Sequence, residues 1–375
     1  MKRLAEGYVN TAIIVFNLLV IAVALNVMLA GVSFIRASLR TVNPVTQKYG
    51  NERLAKVYPG KTPQEIDQLL SESWSRPIAY ETFTQFTERP FRGQYVNVAE
   101  AGFRFSTHQG PWPPDPRAFN VFAFGGSTTF GNGVADSETV RRRTGQPINI
   151  YNFGRGYYYS TQERILFEKL LTENQRPQLA IFIDGLNDFT VSYWGDRAHF
   201  TSLLEQFFES GSGPQTTEEK LLDLAATLPI VRIAARLFPE SESPVTQAPQ
   251  KLNKEAKARA MLDRYFANKK MIEAIAAAHK VNAAFVWQPV PMFGYDLNSH
   301  LFSNVVYANE NNIATIGYSL LGDFDADNFL RCDALQKDRH EPLYVDGYHY
   351  TAAFSKEVAS CIADQLVAKR LLTAD

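Results

Sequence analysis

The sequence is poor in cysteine and histidine, the side chains that most often bind zinc. Its 375 residues include two cysteines and six histidines, and the histidines are scattered without the H-x-x-x-H spacing of a metal-binding helix. Two cysteines cannot complete a four-ligand structural zinc site on their own. We therefore expect neither a metal nor another cofactor.

The chain also lacks an excess of charge of either sign. Lys and Arg total 38 and Asp and Glu total 39, which leaves a net charge of −1. Domains that bind nucleic acid carry a basic surplus, so no nucleic-acid partner is expected. With 45% hydrophobic and 21% charged residues the composition is that of a globular protein. The length allows one or two domains with a large buried core.

One N-terminal segment has no charge at all. No charged residue lies between Glu6 and Arg36, and residues 12–32 are mostly Ile, Leu, Val and Ala. About 20 such residues cross the hydrocarbon core of a membrane. A cleaved signal peptide is the alternative, but its apolar region usually spans about 7–15 residues, and no small-x-small cleavage site follows this one. We predict a single-pass membrane anchor over residues 8–32.

The basic residues around the predicted anchor do not fix its orientation. Basic residues lie on both sides of the predicted anchor. Lys2 and Arg3 precede it, and it is followed by Arg36, Arg40, Lys48 and Arg53. Long domains are translocated largely regardless of such charges. The charges leave the orientation open, and we expect the remainder of the chain to lie outside the cytoplasm.

Residues 33–117, the front section, are irregular and rich in turn-forming residues. The run from Pro111 to Pro116 cannot continue a helix or enter a central strand, and we interpret it as a linker to the main domain. Before it, residues 64–74 have helical spacing and residues 95–98 suggest a short strand. We expect the front section to pack on the main domain without a core of its own.

In residues 118–375, the predicted main domain, short apolar runs alternate with helical stretches. Four runs are typical of buried strands that end in turns: residues 119–124, 148–153, 179–183 and 282–290. Helical spacing over residues 161–174 and 254–280 separates them. This alternation predicts a parallel sheet with helices on both faces and a ligand site at the carboxyl ends of its strands. Residues 190–252 are predicted to be a helical insertion that packs on the domain edge, covers a site or rests on the membrane surface.

Three polar motifs lie at strand ends or before the last predicted helix. Ser127 follows the first strand within Gly-Gly-Ser-Thr-Thr, where helix N-terminal N–H groups could receive an oxyanion. Asn187 follows the third strand and carries an amide able to donate to the same oxyanion. Asp346 precedes His349 by three residues, so its carboxylate can accept the imidazole Nδ1–H. Each motif has an alternative interpretation. The turn with Ser127 could bind phosphate or be purely structural, Asn187 could belong to an Asx turn, and Asp346 could cap a helix.

Together these motifs resemble those of the SGNH hydrolases, the GDSL-type esterases, from about residue 119 to the C-terminus without the insertion. By this resemblance Ser127 matches the nucleophile of the first block and Asn187 the asparagine of the third. Asp346 and His349 match the pair of the fifth block. Gly126 stands where the Gly-Asp-Ser form has aspartate. The resemblance implies a flavodoxin-like three-layer α/β/α fold and ester hydrolysis without a metal.

The second block of the family matches less closely. Its glycine donates a backbone N–H to the oxyanion hole, and residues 152–160 (NFGRGYYYS) resemble it. The resemblance implies Gly156 as the third donor. An alignment from Asn152 instead puts the donor at Tyr157, which is possible because any residue other than proline has a backbone N–H.

Cys332 and Cys361 flank the loop that carries Asp346 and His349. A disulfide between them would attach this loop to the last helix and would suit an exported domain. Two separate buried thiols are the alternative.

The combined interpretation is a membrane-anchored serine esterase acting on O-acyl esters, with acetyl esters of envelope carbohydrate as the expected substrate class. His349 would accept the proton of Ser127, Asp346 would orient the imidazole, and N–H groups would hold the oxyanion. An acyltransferase that passes the same acyl group to a sugar hydroxyl is one alternative. A non-catalytic envelope scaffold with the same fold is the other.

Overall fold

The structure is a computed structural model, and it describes residues 2–38, 44–76, 78–106, 109–136, 148–190, 228–231, 253–303 and 313–372. The chain divides into two units, one comprising residues 1–42 and 203–250 and the other residues 43–202 and 251–375. The second unit therefore includes nearly all of the front section together with the predicted main domain apart from residues 203–250.

The first unit is dominated by helix α1, Lys2–Ser38. Its segment Gly7–Val32 is 26 residues long with a mean hydropathy of 2.7, which is long and apolar enough to cross a membrane. A signal sequence would meet the same criteria. Of the predicted insertion, the structure describes only Thr190 and residues 228–231, where the N–H of Ile230 donates to Asn26 Oδ1 of α1 over 3.2 Å. The predicted helices of the insertion otherwise lie outside the described residues.

The front section forms short helices and two antiparallel hairpins. The helices are α2 (Pro44–Tyr49), α3 (Asn51–Val57) and α4 (Pro63–Trp74), and the strands are β1 (Ile78–Glu81), β2 (Gln85–Glu88), β3 (Phe91–Arg92) and β4 (Asn97–Val98). A capping box begins α4: the Thr62 hydroxyl accepts from the N–H of Glu65, whose carboxylate accepts from the N–H of Thr62. The predicted helix at residues 64–74 is confirmed.

The second unit is built on a five-stranded parallel sheet. Its strands are β5 (Phe119–Gly125), β6 (Ile148–Asn152), β7 (Leu179–Asp184), β8 (Asn282–Trp287) and β9 (Phe329–Arg331). They lie in the order β6-β5-β7-β8-β9, with every neighbouring pair parallel. Counted within the sheet this is 2-1-3-4-5, the strand order of flavodoxin-like folds. The expected flavodoxin-like α/β architecture is confirmed, with β9 as a strand that the sequence pattern misses.

Helices cover both faces of this sheet. They are α5 (Ser127–Phe130), α6 (Ser160–Thr172), α7 (Asn187–Thr190), α8 (Lys254–Ala278), α9 (Ile313–Leu321) and α10 (Ala352–Ala368). Successive side chains of a strand point to opposite faces. Phe122 and Phe182 accordingly join one core with α6, α8 and α9, whereas Val121 and Ile181 join another with α10. The three layers follow from these two cores.

The front section packs against residues that flank the five-stranded sheet. Leu54 and Leu69 are fully buried in a cluster that also contains Phe130 and Val345. The proline run is part of this packing, because the hydroxyl of Tyr151 on β6 donates to the carbonyl of Pro111 over 2.6 Å. The run therefore connects two packed segments.

Cys332 and Cys361 form a disulfide bond. Cys332 follows β9 and Cys361 lies in α10, so the bond closes a loop that includes Asp346 and His349. The sequence left a disulfide and two separate buried thiols as alternatives, and the structure has the disulfide.

Loss of this disulfide is expected to destabilise the second unit. The cysteines are 29 residues apart, and the chain-entropy contribution of a loop of that length is about 3–4 kcal/mol. Chemical denaturation of the wild type and of the double variant Cys332→Ser/Cys361→Ser measures the difference. Thiol labelling of the denatured, unreduced wild type is the companion test: two labelled thiols would contradict the bridge.

Candidate active site

Ser127 lies at the first position of α5, directly after β5, where two glycines make a sharp turn. Gly125 has a φ of +156°, and a Cβ on it would lie 2.0 Å from Thr129 Oγ1. A Cβ on Gly126 would lie 2.2 Å from Asn187 Nδ2. An aspartate at position 126, as in the Gly-Asp-Ser form, would therefore displace the Asn187 amide. The close approach of these two loops explains why this chain has glycine there.

The structure brings Ser127, His349 and Asp346 into one hydrogen-bonded chain. Ser127 Oγ lies 2.7 Å from His349 Nε2, although the two residues are 222 positions apart. His349 Nδ1 lies 2.9 and 2.8 Å from the two carboxylate oxygens of Asp346. An ionised carboxylate can only accept, so Nδ1 carries a proton, and in the neutral imidazole Nε2 is then left to accept from the serine hydroxyl. This is the arrangement of a serine that a neighbouring base can activate.

Asp346 is buried and held in its ionised form. Burial raises its pKa, but the charge and hydrogen bond of His349 and the backbone N–H groups of Tyr348 and His349 outweigh this effect, so the pKa lies below its ordinary value. Both N–H groups donate to Asp346 Oδ1 over 2.8 Å. The alternative in which Asp346 caps the last helix is wrong, because the Thr351 hydroxyl caps α10 by accepting from the N–H of Phe354.

Asn187 begins α7, which two residues separate from the end of β7, and its amide is held beside the serine turn. Its Nδ2 donates to the carbonyl of Tyr158 over 2.6 Å. A second bond joins the same two loops, because Ser160 Oγ donates to Asp188 Oδ1 over 2.6 Å. β5 and β7 are neighbours at the point where the strand order reverses, which is where ligands bind in such sheets. Ser127 and Asn187 both lie at that point.

Gly156 and Tyr157 lie in the turn after β6. A Cβ on Gly156 would meet no atom within 4 Å. Tyr157 has a φ of +66°, in the left-handed region that favours glycine, and its side chain is 56% exposed. Of the two residues, Tyr157 has the left-handed backbone conformation and Gly156 does not.

Gln288 is a polar residue of this site that the sequence analysis missed. It is buried directly after β8, and its Oε1 accepts from the hydroxyl of Thr128 over 2.6 Å and from that of Tyr350 over 3.1 Å. It thus connects the residue after Ser127 to the residue after His349. Its position after a predicted strand is the signal that could have identified it.

Arg104 of the front section was also missed. It is completely buried and donates to the carbonyls of Phe130 and Gly131 over 2.8 and 2.6 Å, and its Nε pairs with Asp136. These bonds fix the end of α5 and the loop that follows it. A single arginine in an irregular segment gives no sequence pattern, so only the fold identifies this contact.

Three buried acids lie next to these loops without forming a metal site. Burial raises the pKa of Glu163, Asp184 and Asp188. Within the described ranges, no group of three or more His, Cys, Asp or Glu has the arrangement of a metal site.

No family model matches this chain, and no curated protein matches it. It is similar to several solved structures. The acetyl xylan esterase AlAXEase is 11% identical over 65% of this chain and 98% of its own, with a TM-score of 0.33. A GDSL-like lipase from Bacteroides thetaiotaomicron VPI-5482 is 13% identical over 68% and 91%, with a TM-score of 0.31. The acetyl xylan esterase Axe2 from Geobacillus stearothermophilus is 11% identical over 69% and 97%, with a TM-score of 0.30.

Proposed function

We propose that this protein is a serine esterase of the SGNH type that hydrolyses O-acyl esters. The observation that carries the proposal is the hydrogen-bonded chain from Asp346 through His349 to Ser127. It lies at the carboxyl edge of a flavodoxin-like sheet, next to an asparagine amide. A turn residue or a surface histidine would not need a buried, ionised carboxylate behind the imidazole.

The proposed reaction uses an acyl-serine intermediate. His349 Nε2 accepts the hydroxyl proton as Ser127 Oγ bonds to the ester carbonyl carbon, and the imidazolium then protonates the leaving alkoxide as its bond to that carbon breaks. A water molecule then attacks the acyl carbon and gives a proton to His349 Nε2. The bond from that carbon to Ser127 Oγ breaks, Oγ takes the proton back from the imidazolium, and the carboxylic acid leaves. The negative charge of Asp346 stabilises the imidazolium in both steps.

The tetrahedral oxyanion would be held by N–H groups on three loops. These are the backbone N–H of Ser127, the side-chain amide of Asn187 and a backbone N–H of the turn that contains Gly156 and Tyr157. The bonds from Asn187 to Tyr158 and from Ser160 to Asp188 support this assignment, because they hold two of the loops together before substrate binds.

The membrane attachment and substrate class are finer parts of the proposal. The apolar helix Gly7–Val32 supports a single-pass anchor, and the Cys332–Cys361 disulfide supports an extracytoplasmic catalytic domain, because disulfides persist mainly in oxidising compartments. An enzyme so placed would meet acetyl esters of envelope carbohydrate. The exposed ring of Tyr157, in the turn after β6, offers a flat apolar face to a sugar ring.

Acetate release by the full-length protein in detergent tests this proposal. We expect hydrolysis of 4-nitrophenyl acetate and of an O-acetylated polysaccharide, each with release of free acetate. An added sugar acceptor separates the alternatives, because a transferase would convert it to an acetylated sugar. Absence of both products from a folded protein would support the scaffold and contradict the esterase.

Asn187→Ala is expected to lower kcat by about 10²–10³-fold with a smaller change in KM, because the oxyanion forms only in the transition state. Steady-state kinetics on 4-nitrophenyl acetate measure both constants. Ser160→Ala is the matched control, since it removes the other bond between the same loops but no proposed oxyanion donor. A change confined to KM in Asn187→Ala would make Asn187 a binding residue.

A further inference from the structure

An aromatic side chain of the front section lies against the imidazole of His349. Trp74 is the last residue of α4, and its ring centroid lies 4.7 Å from that of His349, with the two planes at 75°. Both imidazole nitrogens are engaged, one by Asp346 and the other by Ser127. The indole therefore contacts the ring itself and occupies a direction in which the imidazole could otherwise rotate.

The end of α4 is attached to the loop that follows Ser127. The hydroxyl of Ser73 accepts from the N–H of Gly133 over 3.2 Å. The guanidinium of Arg76 lies 4.3 Å from the ring centroid of Phe130. Trp74 stands between these two attachments. The position of Trp74 relative to Ser127 is therefore set by α5 and the loop after it as well as by α4.

A buried carboxylate fixes the same turn of α4 from within the front section. Glu72 accepts from the backbone N–H groups of Gln94, Tyr95 and Val96 over 2.9, 2.7 and 3.0 Å. Arg76 donates back to the carbonyl of Glu72 over 2.6 Å and so closes the end of the helix. The last turn of α4 is thus a rigid support for the indole.

We propose that Trp74 is a positioning residue that holds His349 in line with Ser127, an inference that rests on the proposed esterase function. Proton transfer needs Nε2 within hydrogen-bond distance of the serine hydroxyl, and a misplacement of about 1 Å can cost 10²-fold in rate. The indole limits imidazole rotation and covers part of the ring from water. The front section therefore supplies a side chain to the catalytic arrangement.

Kinetics of Trp74→Ala and Trp74→Phe in the full-length protein test this role. For Trp74→Ala we expect kcat to fall by about 10–100-fold while KM changes less than about threefold. Reaction of Ser127 with a fluorophosphonate should slow by a similar factor, because it needs the same base. Trp74→Phe keeps an aromatic ring against His349 and should recover most of both rates.

Phe91→Ala is the control for lost packing. Phe91 packs against the same apolar cluster as Trp74, and it makes no ring contact with His349 among the described residues. We expect it to lower the melting temperature while the folded protein keeps the wild-type kcat and labelling rate.

Three outcomes separate this inference from the function on which it rests. Wild-type kcat and labelling rate in folded Trp74→Ala would overturn the positioning role. A loss of activity in proportion to the unfolded fraction, as in an unstable packing variant, would also overturn it. A wild type that neither hydrolyses esters nor reacts with the fluorophosphonate would instead overturn the esterase assignment.

Discussion

Ser127→Ala is expected to lower ester hydrolysis by about 10⁴–10⁶-fold, because it removes the nucleophile and leaves only the oxyanion donors and substrate binding. The fold should persist. Ser127 is partly exposed, and the described hydrogen bond of its hydroxyl is the one to His349. Turnover of 4-nitrophenyl acetate and the melting temperature of the purified variant measure the two effects.

Thr128→Ala is the matched control for this result. Thr128 is the neighbouring hydroxyl residue in α5, and its Oγ1 donates to Gln288 instead of His349. We expect Thr128→Ala to keep activity within about tenfold of the wild type, since it removes a supporting bond and no reacting atom. If Ser127→Ala itself stayed within that range, Ser127 would not be the nucleophile.

Asp346→Asn is expected to lower kcat by about 10³–10⁴-fold with little change in fold. The amide has the size of the carboxylate, and its oxygen can still accept the N–H groups of Tyr348 and His349. It has no negative charge to stabilise an imidazolium. Its NH₂ group, set against Nδ1, favours the tautomer that has the proton on Nε2. A proton on Nε2 would prevent His349 from acting as a base toward Ser127.

Asp296→Asn provides a matched carboxylate–histidine pair outside the site. Asp296 Oδ2 lies 3.3 Å from His340 Nδ1 in a largely exposed pair. Its replacement should leave kcat unchanged, because neither residue contacts Ser127 or His349. Comparison of kcat in the two variants measures the effect of charge at position 346. Equal activity in Asp346→Asn and the wild type would contradict the proposed role of Asp346.

The sheet architecture could be predicted because four of its strands are short, mainly apolar runs. β5, β7 and β8 are largely buried, β6 at the edge of the sheet is partly buried, and each of the four ends in a turn that the sequence marks. β9 could not be predicted in this way. It has three residues, and it is recognisable only through its pairing with β8.

The candidate site was accessible from sequence where its residues follow strands or form a local spacing. Ser127 and Asn187 follow strands, and Asp346 and His349 are three residues apart. The supporting contacts of Trp74 and Arg104 join segments distant in sequence, so no local pattern reveals them. The proline run was interpreted as a linker to the main domain. That interpretation did not predict that side chains of the front section reach the site.

The most direct test of the account is the covalent reaction of the full-length protein with a fluorophosphonate, followed by mapping of the modified peptide by mass spectrometry. The account predicts one adduct, on the Ser127 hydroxyl. The adduct should be absent from Ser127→Ala and present in Thr128→Ala. A folded wild type without an adduct, or an adduct that persists in Ser127→Ala, would contradict the claim that Ser127 is a nucleophile activated by His349.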